Sequence, residues 1–240
     1  MRDYQLNFRG FPDNASLAAD LAGDIASFLH GAMAKRGFAS LVVSGGSTPV
    51  PFFQALSQAA IPWEKVIVTL ADERWVDPSD SASNEGLVRR HLLQNRASVA
   101  RFVGLKTEDA SAGAGERNCE KRIRSIPRPF DVLVLGMGND GHTASLFPDA
   151  AGLPLAIDMD SGRLCLAIRP GSASHDRMTM TLPALIDCRK IMLHITGKEK
   201  LKIFETALAA APLSADVLHE MPIRHILARA RSPVTVYWAP

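Results

Sequence analysis

Gly136-Met137-Gly138-Asn139-Asp140-Gly141-His142-Thr143-Ala144-Ser145-Leu146-Phe147-Pro148 follows directly on the apolar run Asp131 to Leu135. That run reads as a buried strand, because continuous apolar residues suit a strand covered on both faces. The glycines after it let the backbone turn sharply and approach a ligand closely. Asp140 and His142 then place an acid and an imidazole two residues apart just past the strand's carboxyl end. Open α/β sheets carry their chemistry at that end, and histidine is the side chain best suited to proton transfer near neutral pH.

Gly136, Gly138 and Gly141 also fit G-x-G-x-x-G, the dinucleotide fingerprint. That reading needs a long helix opening at the third glycine. Pro148 interrupts the segment and Pro154 follows, and a proline in a helix removes an N–H and clashes with the turn before it. No second strand ending in an acid follows, so a nicotinamide site is set aside.

Strand-like and helical runs alternate outward from this stretch. Strands are expected over 4–8, 38–43, 65–70, 100–105, 131–135, 163–168, 189–195 and 234–238. Helices are expected over 14–35, 49–59, 83–93, 108–125 and 198–211. In the first of these, Leu17, Leu21, Ile25, Phe28 and Leu29 recur at helical spacing. Residues 219–231 read equally as helix or loop. Alternating β and α at this spacing predicts a parallel sheet covered by helices on both faces, and the 240 residues suit one domain spanning 1–240.

Composition narrows the partners. Lys and Arg number 27 and Asp and Glu 25, a net charge of +2, which points neither to nucleic acid nor to an anionic membrane. The amino terminus lacks a signal peptide's apolar core, and no apolar run is long enough to span a bilayer. The three cysteines, Cys119, Cys165 and Cys188, have no C-x-x-C spacing, which suits reduced thiols in a cytoplasmic protein. The seven histidines show no H-x-x-x-H pair, so no His-based metal site is expected.

Three further motifs carry chemistry. Ser44-Gly45-Gly46-Ser47-Thr48-Pro49 joins a strand to a helix. Its freed amides, the helix amino end and the hydroxyls of Ser47 and Thr48 make a phosphate cradle or a capped tight turn. No Gly-Lys-Ser/Thr follows, so it is not a nucleoside triphosphate loop. Asp72-Glu73-Arg74 falls at the end of the next strand, where Arg74 suits bidentate anion contact or a surface ion pair. Ser83 and Asn84 beyond it read mainly as a helix cap. Lys198 and Lys200 stand near a helix amino end, poorly placed for the helix dipole, which hints at an anionic ligand. Arg177 fits either a phosphate clamp or an ion pair. Ser145 lacks the G-x-S-x-G elbow of a serine nucleophile. The other histidines, His194 among them, default to structure or surface.

Together these motifs resemble the 6-phosphogluconolactonase family. The pieces that match are Ser44 to Pro49, Asp72 to Arg74 with Ser83-Asn84, Gly136 to Pro148, Arg177 with Thr179 to Pro183, and Thr196-Gly197-Lys198-Glu199-Lys200. They occur in the family's order and span nearly the whole chain. At Asn139 the family often has Glu.

The resemblance implies a three-layer α/β/α sandwich with a mostly parallel, Rossmann-like sheet, related to glucosamine-6-phosphate deaminase and ribose-5-phosphate isomerase. It implies hydrolysis of 6-phospho-D-glucono-1,5-lactone to 6-phospho-D-gluconate, in the oxidative pentose phosphate pathway, with no metal or organic cofactor. His142 would be the base, Asp140 its orienting acid and Arg74 a stabiliser of the carbonyl oxygen. Gly45, Gly46, Ser47, Thr48, Arg177 and Lys200 would hold the phosphate, with Lys200 rather than Lys198 as the matching lysine. A monomer or small homo-oligomer is expected.

A deaminase of amino-sugar phosphates is disfavoured because Thr143 to Pro148 carries no acid after the Asp-Gly-His run. A non-catalytic sugar-phosphate sensor is disfavoured because no basic DNA-binding domain is present.

Overall fold

The computed structural model describes residues 5–171, 174–209 and 220–240. Seven strands form one sheet: β1 (Leu6–Gly10), β2 (Ala39–Val43), β3 (Val66–Leu70), β5 (Arg101–Val103), β6 (Phe130–Leu135), β9 (Cys188–Thr196) and β10 (Val234–Ala239). Their order is β1-β10-β9-β6-β2-β3-β5, and every pairing is parallel. Strands β2, β3 and β6 are buried at every residue, as their largely apolar runs require in a sheet covered on both faces.

Helix α1 (Asn14–Arg36) is capped at both ends. The side chain of Asp13 accepts from the Ser16 N–H, and Gly37 adopts φ 81° to close the last turn through its N–H to the Met33 carbonyl. Its buried face carries Leu17, Leu21, Ile25 and Leu29, and it packs on β2, β6 and β10 and on α2 (Val50–Ser57). Helices α6 (Leu182–Ile186) and α7 (Lys198–Ala209) pack on β9. The result is a three-layer α/β/α sandwich with a parallel, Rossmann-like sheet.

Chain order makes the sheet's centre its functional edge. From β2 the chain winds outward through β3 to β5, then returns to β6 on the other side of β2. The connections leaving β2 and β6 therefore diverge and open a crevice at their carboxyl ends, the switch point where such sheets bind ligands.

The structure departs from the sequence expectations in one consequential way. Asp72–Arg74 is a strand (β4), not a loop, and Arg177–Met180 is another (β8). With β7 (Cys165–Ile168) they form a second, antiparallel sheet in the order β4-β8-β7. Strands of three and four residues are too short to leave a periodic signature, and β4 carries three charged side chains. The short helices α5 (Leu153–Ile157) and α6 were likewise unexpected, each with proline in its first turn. Core residues of both sheets belong to one continuous cluster, apart from Ile168 of β7, which clusters with Phe147 and Ala150.

Smaller shifts are differences of boundary. Helix α4 (Ala112–Arg124) starts after its Ser111 cap, and α3 (Asn84–His91) after its Ser83 cap. Within the ambiguous stretch 219–231, Ile223–Arg229 is a helix, α8. Tyr4, Ala210, Ala211 and His219 lie outside the described residues.

Candidate active site

A cavity of about 270 Å³ occupies the switch point. The β2–α2 loop supplies Ser44, Gly45, Gly46, Ser47 and Thr48, and the β6 loop supplies Gly136, Met137, Gly138 and His142. The small sheet adds Asp72, Arg74 and Arg177, and the end of β9 and start of α7 add His194, Thr196 and Lys200. All the site residues named from sequence line this cavity except Asp140, which sits behind the His142 ring.

Local geometry explains the glycines of the β6 loop. The Gly138 N–H donates to the His142 carbonyl at 2.8 Å, closing a tight turn, and Gly141 takes φ 76° within it. A Cβ at Gly138 would lie 2.0 Å from His142 Nδ1 and 2.5 Å from Asp140 Oδ1. The backbone can therefore pass beneath the His–Asp pair only at glycine. No helix opens at Gly141; the next, α5, begins at Leu153, so the loop lacks the form of a dinucleotide fingerprint.

His142 Nδ1 lies 2.6 Å from Asp140 Oδ1, and the same oxygen accepts the His142 backbone N–H at 3.0 Å. Burial alone would raise the Asp140 carboxyl, but these His142 contacts outweigh it and the net direction is down. A carboxylate only accepts, so Nδ1 carries the proton and Nε2 is the basic nitrogen. Phe147 stacks on the ring with centroids 4.1 Å apart, fixing its plane. Lys200 donates to the Met137 carbonyl at 2.7 Å.

The small sheet brings cations together. In the β4–β8 register Arg74 stands directly opposite Arg177. Like charges facing across an antiparallel pair repel. Arg177 has Asp72 at 3.8 Å and lies over the Phe147 ring at 5.0 Å. Burial pushes its guanidinium below the usual arginine range, Asp72 pulls it back up, and Arg74 pushes it down again. Among the described residues its buried Nε has no hydrogen-bond partner, nor has Ser44 Oγ. Such unpaired polar groups are rare in a folded interior, and both belong to residues lining the cleft.

Residues given other readings from sequence complete the site. Asn84, read mainly as a cap, accepts from the Arg74 guanidinium and donates to the Asp72 carbonyl at 2.8 Å. A Cβ at Gly45 would lie 1.8 Å from Asn84 Oδ1, so the loop and the small sheet meet there. Ser145 is buried and donates to Asp72 Oδ2 at 2.6 Å, so its hydroxyl serves Asp72 and not the His142 ring. The Ser–Asn pair after Asp72-Glu73-Arg74 was the only sequence signal for Asn84; nothing in the sequence marked Asp72 and Ser145 as partners. Among the described residues no group of three metal-ligating side chains exists, and no helix is long and apolar enough to cross a membrane.

A glycine-rich loop, an Asp–His pair and a cation cluster thus meet at the switch point of a parallel sheet, in an α/β protein of the three-layer class. The family model for glucosamine-6-phosphate isomerases/6-phosphogluconolactonase matches residues 12–238, and the chain belongs to that family. Within it, the chain is 48% identical to the 6-phosphogluconolactonase of Mesorhizobium japonicum, over 98% of this chain and 95% of that protein. It is 44% identical to that of Pseudomonas aeruginosa, over 94% of this chain and 92% of the relative. The crystal structure of a 6-phosphogluconolactonase from Shewanella baltica OS155 matches with a TM-score of 0.93 at 48% identity, covering 98% of each chain. A monomeric glucosamine-6-phosphate deaminase shares the fold, with a TM-score of 0.79 at 17% identity.

Proposed function

We propose that this chain is a lactone hydrolase that converts 6-phospho-D-glucono-1,5-lactone to 6-phospho-D-gluconate. The carrying observation is the His142–Asp140 pair, 2.6 Å apart, at a cleft that Arg74, Arg177, Lys200 and the Ser44 to Thr48 loop also line. The names of the relatives support the same substrate.

In this reading, water attacks the lactone carbonyl carbon as His142 Nε2 takes its proton. Asp140 holds the ring in the tautomer that leaves Nε2 basic. Negative charge grows on the carbonyl oxygen, where Arg74 or loop amides stabilise it. The intermediate then collapses, the bond from the carbonyl carbon to the ring oxygen breaks, and the imidazolium returns its proton to that oxygen. Neither a metal nor an organic cofactor enters any step.

Gly45, Gly46, Ser47, Thr48, Arg177 and Lys200 hold the phosphate away from the reacting carbon, and that binding positions the lactone. Arg177 suits this role, because an anion at its guanidinium offsets the repulsion from the facing Arg74. The step fits the oxidative pentose phosphate pathway in a cytoplasmic setting, with the chain acting as a monomer or small homo-oligomer.

The test is hydrolysis of freshly generated lactone against its spontaneous rate, for wild type and His142→Ala. Wild type should accelerate the reaction, and the variant should lose that acceleration while staying folded. No acceleration by folded wild type would sink the lactonase reading; an active His142→Ala would sink the base assignment.

A further inference from the structure

A second cavity of about 190 Å³ adjoins the cleft, and the two share Ser47, Thr48, His194 and Thr196. His194 stands on β9 below the β2–α2 loop, with its ring edge-on to Phe52 at 5.5 Å between centroids. It is 5% exposed. Among the described residues its ring has no hydrogen-bond partner. An imidazole carries one donor and one acceptor, and the two cavities that His194 lines are where a ligand or water completes them.

We propose that His194 is a phosphate-recognition residue, donating a ring N–H to the phosphate held at Ser47 and Thr48. The inference rests on the proposed reading for the identity of the phosphorylated substrate. Three features of the site carry it. The ring borders the loop that offers freed amides and hydroxyls. It is buried, so a hydrogen bond there is not shared with bulk water. Burial also pushes its pKa down to about 4, so the ring stays neutral near pH 7 and contributes a directional N–H rather than a fourth positive charge beside Arg74, Arg177 and Lys200. A neutral donor favours a phosphate ester over an unphosphorylated sugar without tightening the hold on every anion.

The experiment compares wild type, His194→Gln and His194→Leu on 6-phospho-D-glucono-1,5-lactone and on unphosphorylated D-glucono-1,5-lactone. His194→Leu should raise KM for the phosphorylated lactone ~10-fold, as expected for losing one hydrogen bond to a charged group, with kcat changed far less. The preference for the phosphorylated over the unphosphorylated lactone should fall by the same factor, and His194→Gln should recover most of it. Equal effects on both lactones, or none on either, would overturn the assignment.

Inorganic phosphate provides a readout without turnover. In wild type, titration with phosphate should shift the imidazole ¹⁵N resonance that is missing from His194→Gln. No shift on saturation overturns the proposal even if both variants fold poorly. Wild type that binds phosphate through His194 yet hydrolyses neither lactone would instead count against the lactonase reading alone.

Discussion

Loops leaving the parallel sheet build one wall of the cleft, and the three-stranded antiparallel sheet builds the other. The first wall is glycine-rich, offering amides, hydroxyls and the His142–Asp140 pair. The second offers Arg74, Arg177 and Asp72, held by the side chain of Asn84 and the hydroxyl of Ser145. Backbone conformation makes the first wall: Gly138 has room only for hydrogen beside the His142 ring. Side-chain pairing makes the second. In the proposed reading, proton transfer comes from a turn fixed by its own backbone, while recognition of the phosphate draws on both walls and, in the second, on a network of mutually dependent side chains.

Breaking each wall alone should show this. His142→Ala removes the proposed base in the first wall, and a loss of ~10²–10⁴ in kcat is the expected scale for one general base. Arg177→Met strikes the second wall. Its cost should fall mainly on KM, by ~10–100-fold, the scale of a charge-assisted hydrogen bond. Its stability effect should be small, because relief of the Arg74–Arg177 repulsion offsets the lost pair with Asp72 at 3.8 Å. Steady-state kinetics beside thermal unfolding checks both; a kcat-only loss would move Arg177 from phosphate binding to the reacting carbon.

Gly45 sharpens the comparison because the walls touch there. Gly45→Ala places a methyl where Asn84 Oδ1 stands, displacing Asn84 and with it Arg74. The single substitution should lower kcat/KM ~10-fold, and so should Asn84→Ala. In the double variant the methyl has room, so the second change should add less than ~2-fold. Full additivity would mean that loop and sheet act independently.

The same contrast explains what could be read from the sequence. The first wall was legible because its signals are local: an apolar run, then glycines, then an acid and an imidazole within one loop. The central parallel strands were legible because β2, β3 and β6 are largely apolar and buried at every residue. The second sheet was not, because β4 and β8 declare themselves only by pairing Asp72 with Thr179 and Arg74 with Arg177, across a hundred residues of chain. Asn84 looked like a cap because it opens α3 just after the true cap, Ser83; its contacts with Arg74 and the Asp72 carbonyl are tertiary. His194 was set aside because one histidine in an apolar strand carries no pattern, and only the packing of the β2–α2 loop above it gives it a ligand-facing place.

Burial shifts one titratable group behind each wall, Glu73 and His194, and the two should respond to pH in opposite directions. Behind the second wall Glu73 is fully buried, accepting from the N–H groups of Arg74, Asn84 and Glu85 and from Ser83 Oγ. Burial pushes its carboxyl from 4.5 up to about 7, against the downward pull of those N–H groups. Folding therefore takes up a proton at Glu73 between those values. Its stabilising share is full below the unfolded pKa and is lost as pH rises through about 7. His194, below the first wall, is pushed from 6.5 down to about 4 by burial. Folding releases a proton there, so its share is full above the unfolded value and is lost as pH falls through about 4. Each share is at most about 3 kcal/mol. Denaturant unfolding from pH 4 to 8 of wild type, Glu73→Gln and His194→Gln isolates them, since neither glutamine titrates. The wild-type-minus-variant stability should fall with pH for Glu73 and rise with pH for His194. A flat Glu73 difference would mean that the α3 amino end holds the carboxylate ionised despite its burial, making the second wall's anchor a fixed charge. A flat His194 difference would mean that water reaches the ring through the shared cavity.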